Sequence, residues 1–278
     1  MLERILDKLH DFVNPWEKIE FNKSNFFSPK VILKKIYFWM DREHAIRYTA
    51  VLKELRKGNY ADILEVGSGP LGLSRFISRK IVGVDLDMSG PHHQYFSLVG
   101  ASVTALPFKE KAFDFVVSLD MLEHLPLEQR PLAVLELLRV ARKKIILGLP
   151  CGDKARWIEA KALEANNKTL NQAKLSSDEK KVLLERVRFL ADHVRYGLPY
   201  KEEIETYFQQ AAIVLNCRYK LRIIENESIY VWFFSIASRM PQSYLRFIRI
   251  LICIIFFPIL ARLEWPACYR KMFIAEKE

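Results

Sequence analysis

Ile63-Leu-Glu-Val-Gly-Ser-Gly-Pro-Leu-Gly72 is the stretch whose reading decides the fold. Ile63 to Val66 is a short apolar run, interrupted only by Glu65, of the kind that forms a buried strand. Gly67, Ser68 and Gly69 follow as a tight turn, and residues 71–78 are expected to form a helix. Glycines at 67, 69 and 72 let the backbone turn sharply, approach a ligand closely and pack a helix on the strand. A second apolar run, 81–84, ends at Asp85, whose carboxylate can accept hydrogen bonds from both hydroxyls of a ribose. Strand, glycine turn, helix, strand and acid arrive in the order of a nucleotide-binding βαβ unit. The spacing alone also suits a plain crossover, because glycines serve ordinary turns.

Outward from this unit the pattern alternates. Strands are expected at 63–66, 81–84, 102–103, 115–118 and 144–149, and helices at 71–78, 91–98 and 128–141. Alternation of this kind implies an α/β fold with a Rossmann-like doubly wound sheet, covered on both faces. Ligands of such sheets sit at the carboxyl ends of the strands, where the strand order reverses. That groups Gly67–Gly69, Asp85, Ser102, Val103 and 118–120 around one crevice. Ahead of the first strand, apolar residues recur at helical spacing (Leu2, Ile5, Leu6, Leu9, Phe12; Val31, Ile32, Ile36, Trp39; Ala45, Tyr48, Val51, Leu52). Residues 1–58 are therefore expected to form a helical layer and 59–278 the main domain.

The run Leu106-Pro-Phe-Lys-Glu-Lys-Ala-Phe-Asp-Phe-Val-Val-Ser-Leu-Asp-Met-Leu-Glu-His-Leu125 resembles class I S-adenosylmethionine-dependent methyltransferases of the type 11 kind. Those carry a similar series after a glycine turn of the E-x-G-x-G type. The resemblance spans about residues 60 to 150 and continues more faintly in Gly197-Leu-Pro-Tyr-Lys-Glu-Glu-Ile204 and Cys268-Tyr-Arg-Lys-Met-Phe-Ile274. The latter would be the antiparallel last strand of a mostly parallel sheet. The resemblance implies S-adenosyl-L-methionine as cofactor. It implies that Glu65, Gly67 and Gly69 hold the methionine end and that Asp85 binds the ribose hydroxyls, with Ser68 and Leu86 also among the cofactor-binding residues. Leu119 and Asp120 would close over the cofactor. Ser102, with Val103, stands where the family usually has an acid for the adenine amino group, so that contact would lack charge assistance.

Asp120, Glu123 and His124 are spaced i, i+3 and i+4, and share a face if a helix begins near Asp120. Three readings are open. The cluster can cap and orient its loop. His124, with an ordinary pKa near ~6.5, can act as a base. Or Asp120, Glu123 and His124, with a remote histidine such as His193, can bind a divalent metal, as similar clusters do in some O-methyltransferases. One short cluster does not define a coordination shell, so no metal is assigned from the sequence. Glu123, His124 and His193 are the candidate catalytic residues.

Residues 152–197 are expected to be a helical insert that caps the substrate. Ser176-Ser-Asp-Glu179 looks like a capping box, and Leu183, Leu184, Val187, Leu190, Ala191 and Val194 form a stripe behind it. Cys151, Asp153, Arg156 and His193 are expected on the substrate side, although His193 also suits a plain surface position. A second insert, 230–266, contains Tyr230-Val-Trp-Phe-Phe-Ser-Ile-Ala237 and a twelve-residue apolar run, 250–261, flanked by Arg246, Arg249 and Arg262. A spanning helix needs about 20 such residues. Residues 244–263 are read instead as helices that pack on protein or lie at a membrane surface.

The chain has 278 residues, half of them apolar, and so has the material for a sizeable core. Its formal charge of +10 comes from scattered Lys and Arg without a long basic run, which argues against nucleic acid as a partner. Four separated cysteines with no CxxC pair argue against a disulfide scaffold or zinc knuckle and for a cytoplasmic home. The charged first ten residues do not read as a signal peptide; peripheral contact with the inner face of a membrane would run through 244–263. The expected activity is methyl transfer from S-adenosylmethionine to a small or lipid-linked acceptor, at oxygen. No Asn/Asp-Pro-Pro-aromatic signature of amino-methylating enzymes is present. Two alternatives stay open: an NAD(P)-dependent oxidoreductase of Rossmann type, which the glycines and Asp85 also suit, and a non-catalytic, membrane-associated methyltransferase-like protein.

Overall fold

The computed structural model describes residues 42–77, 79–89, 94–172, 175–228 and 268–278. Its elements are α1 (Arg42–Leu55), β1 (Ile63–Val66), β2 (Ile81–Asp85), β3 (Phe96–Gly100), β4 (Phe113–Leu119), α2 (Arg130–Val140), β5 (Ala141–Pro150), α3 (Asp153–Gln172), α4 (Ser177–Tyr196), α5 (Lys201–Val214), β6 (Tyr219–Ser228) and β7 (Cys268–Lys277). Short 3-10 turns occupy Gly72–Arg75, Leu122–His124 and Leu127–Gln129.

β1 and β4 are buried at every position, as apolar strands covered on both faces must be. Alternate side chains serve opposite layers. Phe115, Val117, Ile146, Met272 and Ile274 pack with Tyr48, Val51, Leu52 and Leu55 of α1. Val116, Ile145, Leu147 and Phe273 pack with Val134, Leu137 and Leu138 of α2 and with Ile204 and Phe208 of α5. The seven strands lie in the order β3-β2-β1-β4-β5-β7-β6. The first five are parallel, and β7 is antiparallel to both β5 and β6. Strand order reverses between β1 and β4, so the crevice opens there. A dinucleotide-binding sheet would continue past β5 with a further parallel strand; here the last strand enters in reverse between β5 and β6.

Several expectations shift. The strand expected at 102–103 lies earlier, as β3, and 96–98, expected to be helical, belong to it. Gly83 leaves the room that Phe96 occupies, since a Cβ there would lie 2.1 Å from the Phe96 ring. The helix expected over 71–78 is a single 3-10 turn, because Gly72 sits at φ +45°, outside the right-handed helical region. Ser176 caps α4 as expected: its Oγ accepts from the Glu179 N–H, and the Glu179 carboxylate accepts from the Ser176 N–H. Residues 1–41 and the apolar stretches at 230–237 and 250–261 lie outside the described residues. Among the described residues no helix is long and apolar enough to cross a membrane.

Glu54 fastens α1 to the far half of the sheet. Its carboxylate, 2% exposed, accepts from Lys57 Nζ at 2.7 Å, Arg222 Nη2 at 2.8 Å and Lys144 Nζ at 3.0 Å. Burial by itself would raise its pKa; the three cations overcome this and hold it at about 2. A depressed folded-state pKa stabilises fully above the ordinary carboxylate pKa, near ~4.3, and the contribution fades as pH falls toward 2. Glu54→Gln is therefore expected to cost about 3 kcal/mol at neutral pH, the cost of breaking a buried ion pair. Urea melts of both proteins should show the gap shrinking as the pH is lowered from 5 to 2.

Candidate active site

The glycine turn is braced from below. Glu65, on β1, is 1% exposed. Its carboxylate accepts a 2.5 Å hydrogen bond from the Tyr48 hydroxyl of α1 and another of 2.5 Å from the Leu73 N–H. Burial, the largest influence, pushes its pKa up to about 7 despite both donors. The sequence suggested that Glu65 touches the cofactor. As placed, the carboxylate turns into the protein and shapes the loop. Gly72 must be glycine for this reason too: a Cβ would fall 2.0 Å from the Glu65 Oε2.

Above the turn the space is open. Nothing lies within 4 Å of where a Gly69 Cβ would project. The Gly69 N–H donates to Asp85 Oδ2 at 2.8 Å and the Asp87 N–H to Asp85 Oδ1 at 3.0 Å. Each carboxylate oxygen keeps capacity for a further donor. Ser68 is buried, and its Oγ donates to the Gly69 carbonyl. Leu86, 80% exposed, offers an apolar lip beyond Asp85. An acid, a bare glycine and an apolar lip fit the nucleoside part of S-adenosylmethionine. Ser102 is less available than the sequence suggested, because its Oγ is paired with Thr104 Oγ1 at 2.8 Å. Val103 beside it is buried, as is Leu119 at the end of β4.

Asp120 differs most from expectation. It is left-handed at φ +47°, and the 3-10 turn begins only at Leu122. It therefore does not share a helical face with Glu123 and His124. Its carboxylate accepts from Arg270 Nε and Nη2, both at 2.7 Å, and pairs with Arg47 Nη2 at 2.8 Å. Arg270 also binds Glu227. Burial works against the charge on Asp120, yet Arg270 and Arg47 hold its pKa below the usual carboxylate range.

Glu123, His124 and His193 do come together. His124 Nε2 lies 3.2 Å from His193 Nε2. His193 Nδ1 lies 2.9 Å from a carboxylate oxygen of Glu159 on α3, and the other Glu159 oxygen accepts from the Tyr269 hydroxyl of β7. His193 is 9% exposed, not the surface residue of the plainer reading. Glu123 is fully buried, and neither carboxylate oxygen has a hydrogen-bond partner. Burial, with Asp120 nearby, raises its pKa. Burial and the His193 charge lower that of His124 to about 4. For His193, burial acts downward, but Glu159 outweighs it and the pKa is raised.

Arg130 sets this geometry. Fully buried, it donates to the carbonyls of Tyr196 and Gly197 at the end of α4, and to those of Glu123 and Leu125 in the turn opposite. A guanidinium among the last carbonyls of a helix is favourable on electrostatic grounds. The three side chains open on a pocket of about 450 Å³, with Val182, Phe189 and Leu190 of α4 as its apolar wall. Cys151, Asp153 and Arg156 do not line it. Burial pushes the Cys151 thiol up to about 12; Asp153 accepts from the Tyr200 hydroxyl; Arg156 binds the Leu198 carbonyl. Glu159, Tyr269, Arg270 and Arg47 were not singled out from the sequence. Their signal is tertiary, since they meet the site from α3, β7 and α1.

Residues 64–147 match a family model described as a methyltransferase domain. No curated protein matches the chain. Among solved structures, the chain is similar to the plantazolicin methyltransferase BpumL in complex with a monoazolic desmethylPZN analog and SAH, at 12% identity over 99% of each chain, TM-score 0.48. It is also similar to the PH0226 protein of Pyrococcus horikoshii OT3, at 13% identity over 93% of this chain and 100% of that one, TM-score 0.44.

Two glycines of the turn should respond differently. Gly69→Ala adds a methyl to open space and bears only the left-handed strain, about 1 kcal/mol. Gly72→Ala bears that strain and also displaces the Glu65 carboxylate, so its thermal midpoint should fall well below that of Gly69→Ala. Equal midpoints would show that Glu65 does not brace the turn.

Proposed function

We propose that this chain, whose residues 64–147 match a methyltransferase-domain family model, is a class I S-adenosylmethionine-dependent methyltransferase that transfers methyl to an oxygen of a small or lipid-linked acceptor. The observation that carries this reading is the position of the Glu123–His124–His193 pocket relative to the glycine turn. A Cβ on Gly67 would meet Met121 Cγ at 2.6 Å, and Glu123 and His124 come two and three residues after Met121.

S-adenosylmethionine, when bound, supplies a methyl group that is already a strong electrophile. The protein has to align an acceptor atom with it, exclude water and manage the acceptor's proton. On this reading Asp85 binds the ribose hydroxyls, Gly67 and Gly69 let the backbone approach the methionine end, and Leu86 and Val103 border the base. Ser68, Leu119 and Asp120 shape the crevice, the last through its arginine partners. An acceptor hydroxyl enters the pocket from the α3–α4 side, and the Glu123–His124–His193 cluster stabilises its oxygen as the proton leaves. The apolar wall of α4 supports an acceptor with an apolar body. The apolar run at 250–261 supports a lipid-linked one, presented at a membrane surface.

Calorimetric titration with S-adenosylmethionine, S-adenosylhomocysteine and NAD tests the cofactor half. The first two should bind saturably and NAD should give no signal; binding of NAD alone would overturn the assignment. Asp85→Ala should weaken the cofactor by about 1–3 kcal/mol, roughly ten- to a hundredfold. For the acceptor half, tritiated methyl donor is incubated with the protein and a lipid extract. Label should enter the organic phase with wild type and not with His193→Ala, whose cofactor affinity should be retained. Label in a protein or nucleic-acid fraction instead would sink the acceptor class.

A further inference from the structure

Two imidazoles and a carboxylate converge beside the pocket: Glu123, His124 and His193 each offer a ligand atom, all within 4.8 Å of one another. We propose that this cluster is a divalent-cation site, with the Glu123 carboxylate and the Nε2 atoms of His124 and His193 as protein ligands and the remaining coordination positions facing the pocket.

Three independent features point to an ion. The first is Glu123 itself. A buried carboxylate with no hydrogen-bond donor on either oxygen is costly and rare. Arg130 lies close but donates to the Glu123 backbone carbonyl rather than to the side chain. A cation supplies the partner that the protein withholds. The second is the separation of the two Nε2 atoms, 3.2 Å. Ligands about 2.1 Å from one ion stand roughly 3.0–3.4 Å apart at octahedral or tetrahedral angles. The third is Glu159. Its hydrogen bond to His193 Nδ1, with the Tyr269 hydroxyl on its other oxygen, directs the His193 Nε2 lone pair toward His124 and Glu123. A carboxylate behind a histidine is the usual way in which proteins orient a metal-binding imidazole.

The same geometry fixes which residues are outside the set. Asp120, named from the sequence beside Glu123 and His124, is not among the converging ligand atoms; its carboxylate is drawn instead to Arg270 and Arg47. Three protein ligands leave positions open, as in metal sites that meet a substrate. Two imidazoles with one carboxylate suit manganese, iron, cobalt or zinc better than calcium or magnesium, which favour all-oxygen shells. That the open positions receive an oxygen of the methyl acceptor rests on the function proposed above; the ion site itself does not.

The full chain, stripped with chelator, is titrated with Mn²⁺ and with Co²⁺ by calorimetry, and Co²⁺ binding is also followed by its visible d–d absorption. S-adenosylmethionine affinity and far-ultraviolet circular dichroism in the same preparations control for folding. One ion per chain is expected. Glu123→Gln and His193→Asn should each weaken it more than about tenfold and alter the Co²⁺ spectrum. Glu159→Gln, a positioning change, should weaken it about 10–100-fold while preserving the band pattern of the bound ion. No saturable uptake by folded wild type overturns the site and leaves methyl transfer untouched. Uptake that survives both ligand substitutions puts the ion elsewhere and overturns it equally. Ligand-sensitive uptake by a protein that does not bind S-adenosylmethionine upholds the ion site and removes the methyl-transfer reading.

Discussion

The two-pronged contact between Asp120 and Arg270 sets where the site begins. Both groups are almost wholly removed from water, and Arg270 also serves Glu227 while Asp120 also meets Arg47. Charges so deeply placed are tolerable only when geometry is good and every partner is present. That requirement ties β4, β6, β7 and α1 together at one end of the sheet. It depends on the reversed direction of β7, which pairs Arg270 with Pro150 of β5 and Asn226 of β6 and brings the guanidinium to the end of β4. With Asp120 turned aside, the chain enters the short turn that carries Glu123 and His124.

Arg130 is the second constraint. One buried guanidinium spans from the Glu123–Leu125 turn to the last carbonyls of α4. The helical insert is thereby fixed to the sheet at the end that bears His193, and Glu159 on α3 completes the alignment. The result is a division between two neighbouring spaces. The crevice over β1 and β2 is built of backbone and one acid, and suits a nucleoside. The pocket over β4 and β7 is built of titratable side chains under an apolar helix, and suits a reacting group. Met121 packs against Gly67 and leads into the turn that carries Glu123 and His124.

Much of this was legible in the order of residues. The glycine turn, Asp85 and the Leu106–Leu125 series pointed to the sheet and to the cofactor, because each rests on short-range rules: an apolar run for a strand, glycine for a left-handed turn, an acid at a strand end. The capping box at Ser176 is equally local. The helix expected over 71–78 from the order of the motif is only a 3-10 turn with Gly72 left-handed, and the strand expected at 102–103 lies at Phe96–Gly100, where Phe96 fills the space beside Gly83 of β2.

The sequence by itself determined most of the strand–helix order, the glycine turn with Asp85, and three of the side chains that converge on the pocket, Glu123, His124 and His193. Only the tertiary structure decided their partners. Asp120 is spaced to join Glu123 and His124, yet Arg270, 150 positions away, claims it. His193 suits a surface position, yet Glu159 and Tyr269 bury and orient it. Glu65 sits in a cofactor motif, yet Tyr48 draws its carboxylate inward. Spacing specifies which side chains share an element. Which charge or donor reaches them first depends on how distant elements pack, since a buried polar group takes the partner that packing brings within about 3 Å.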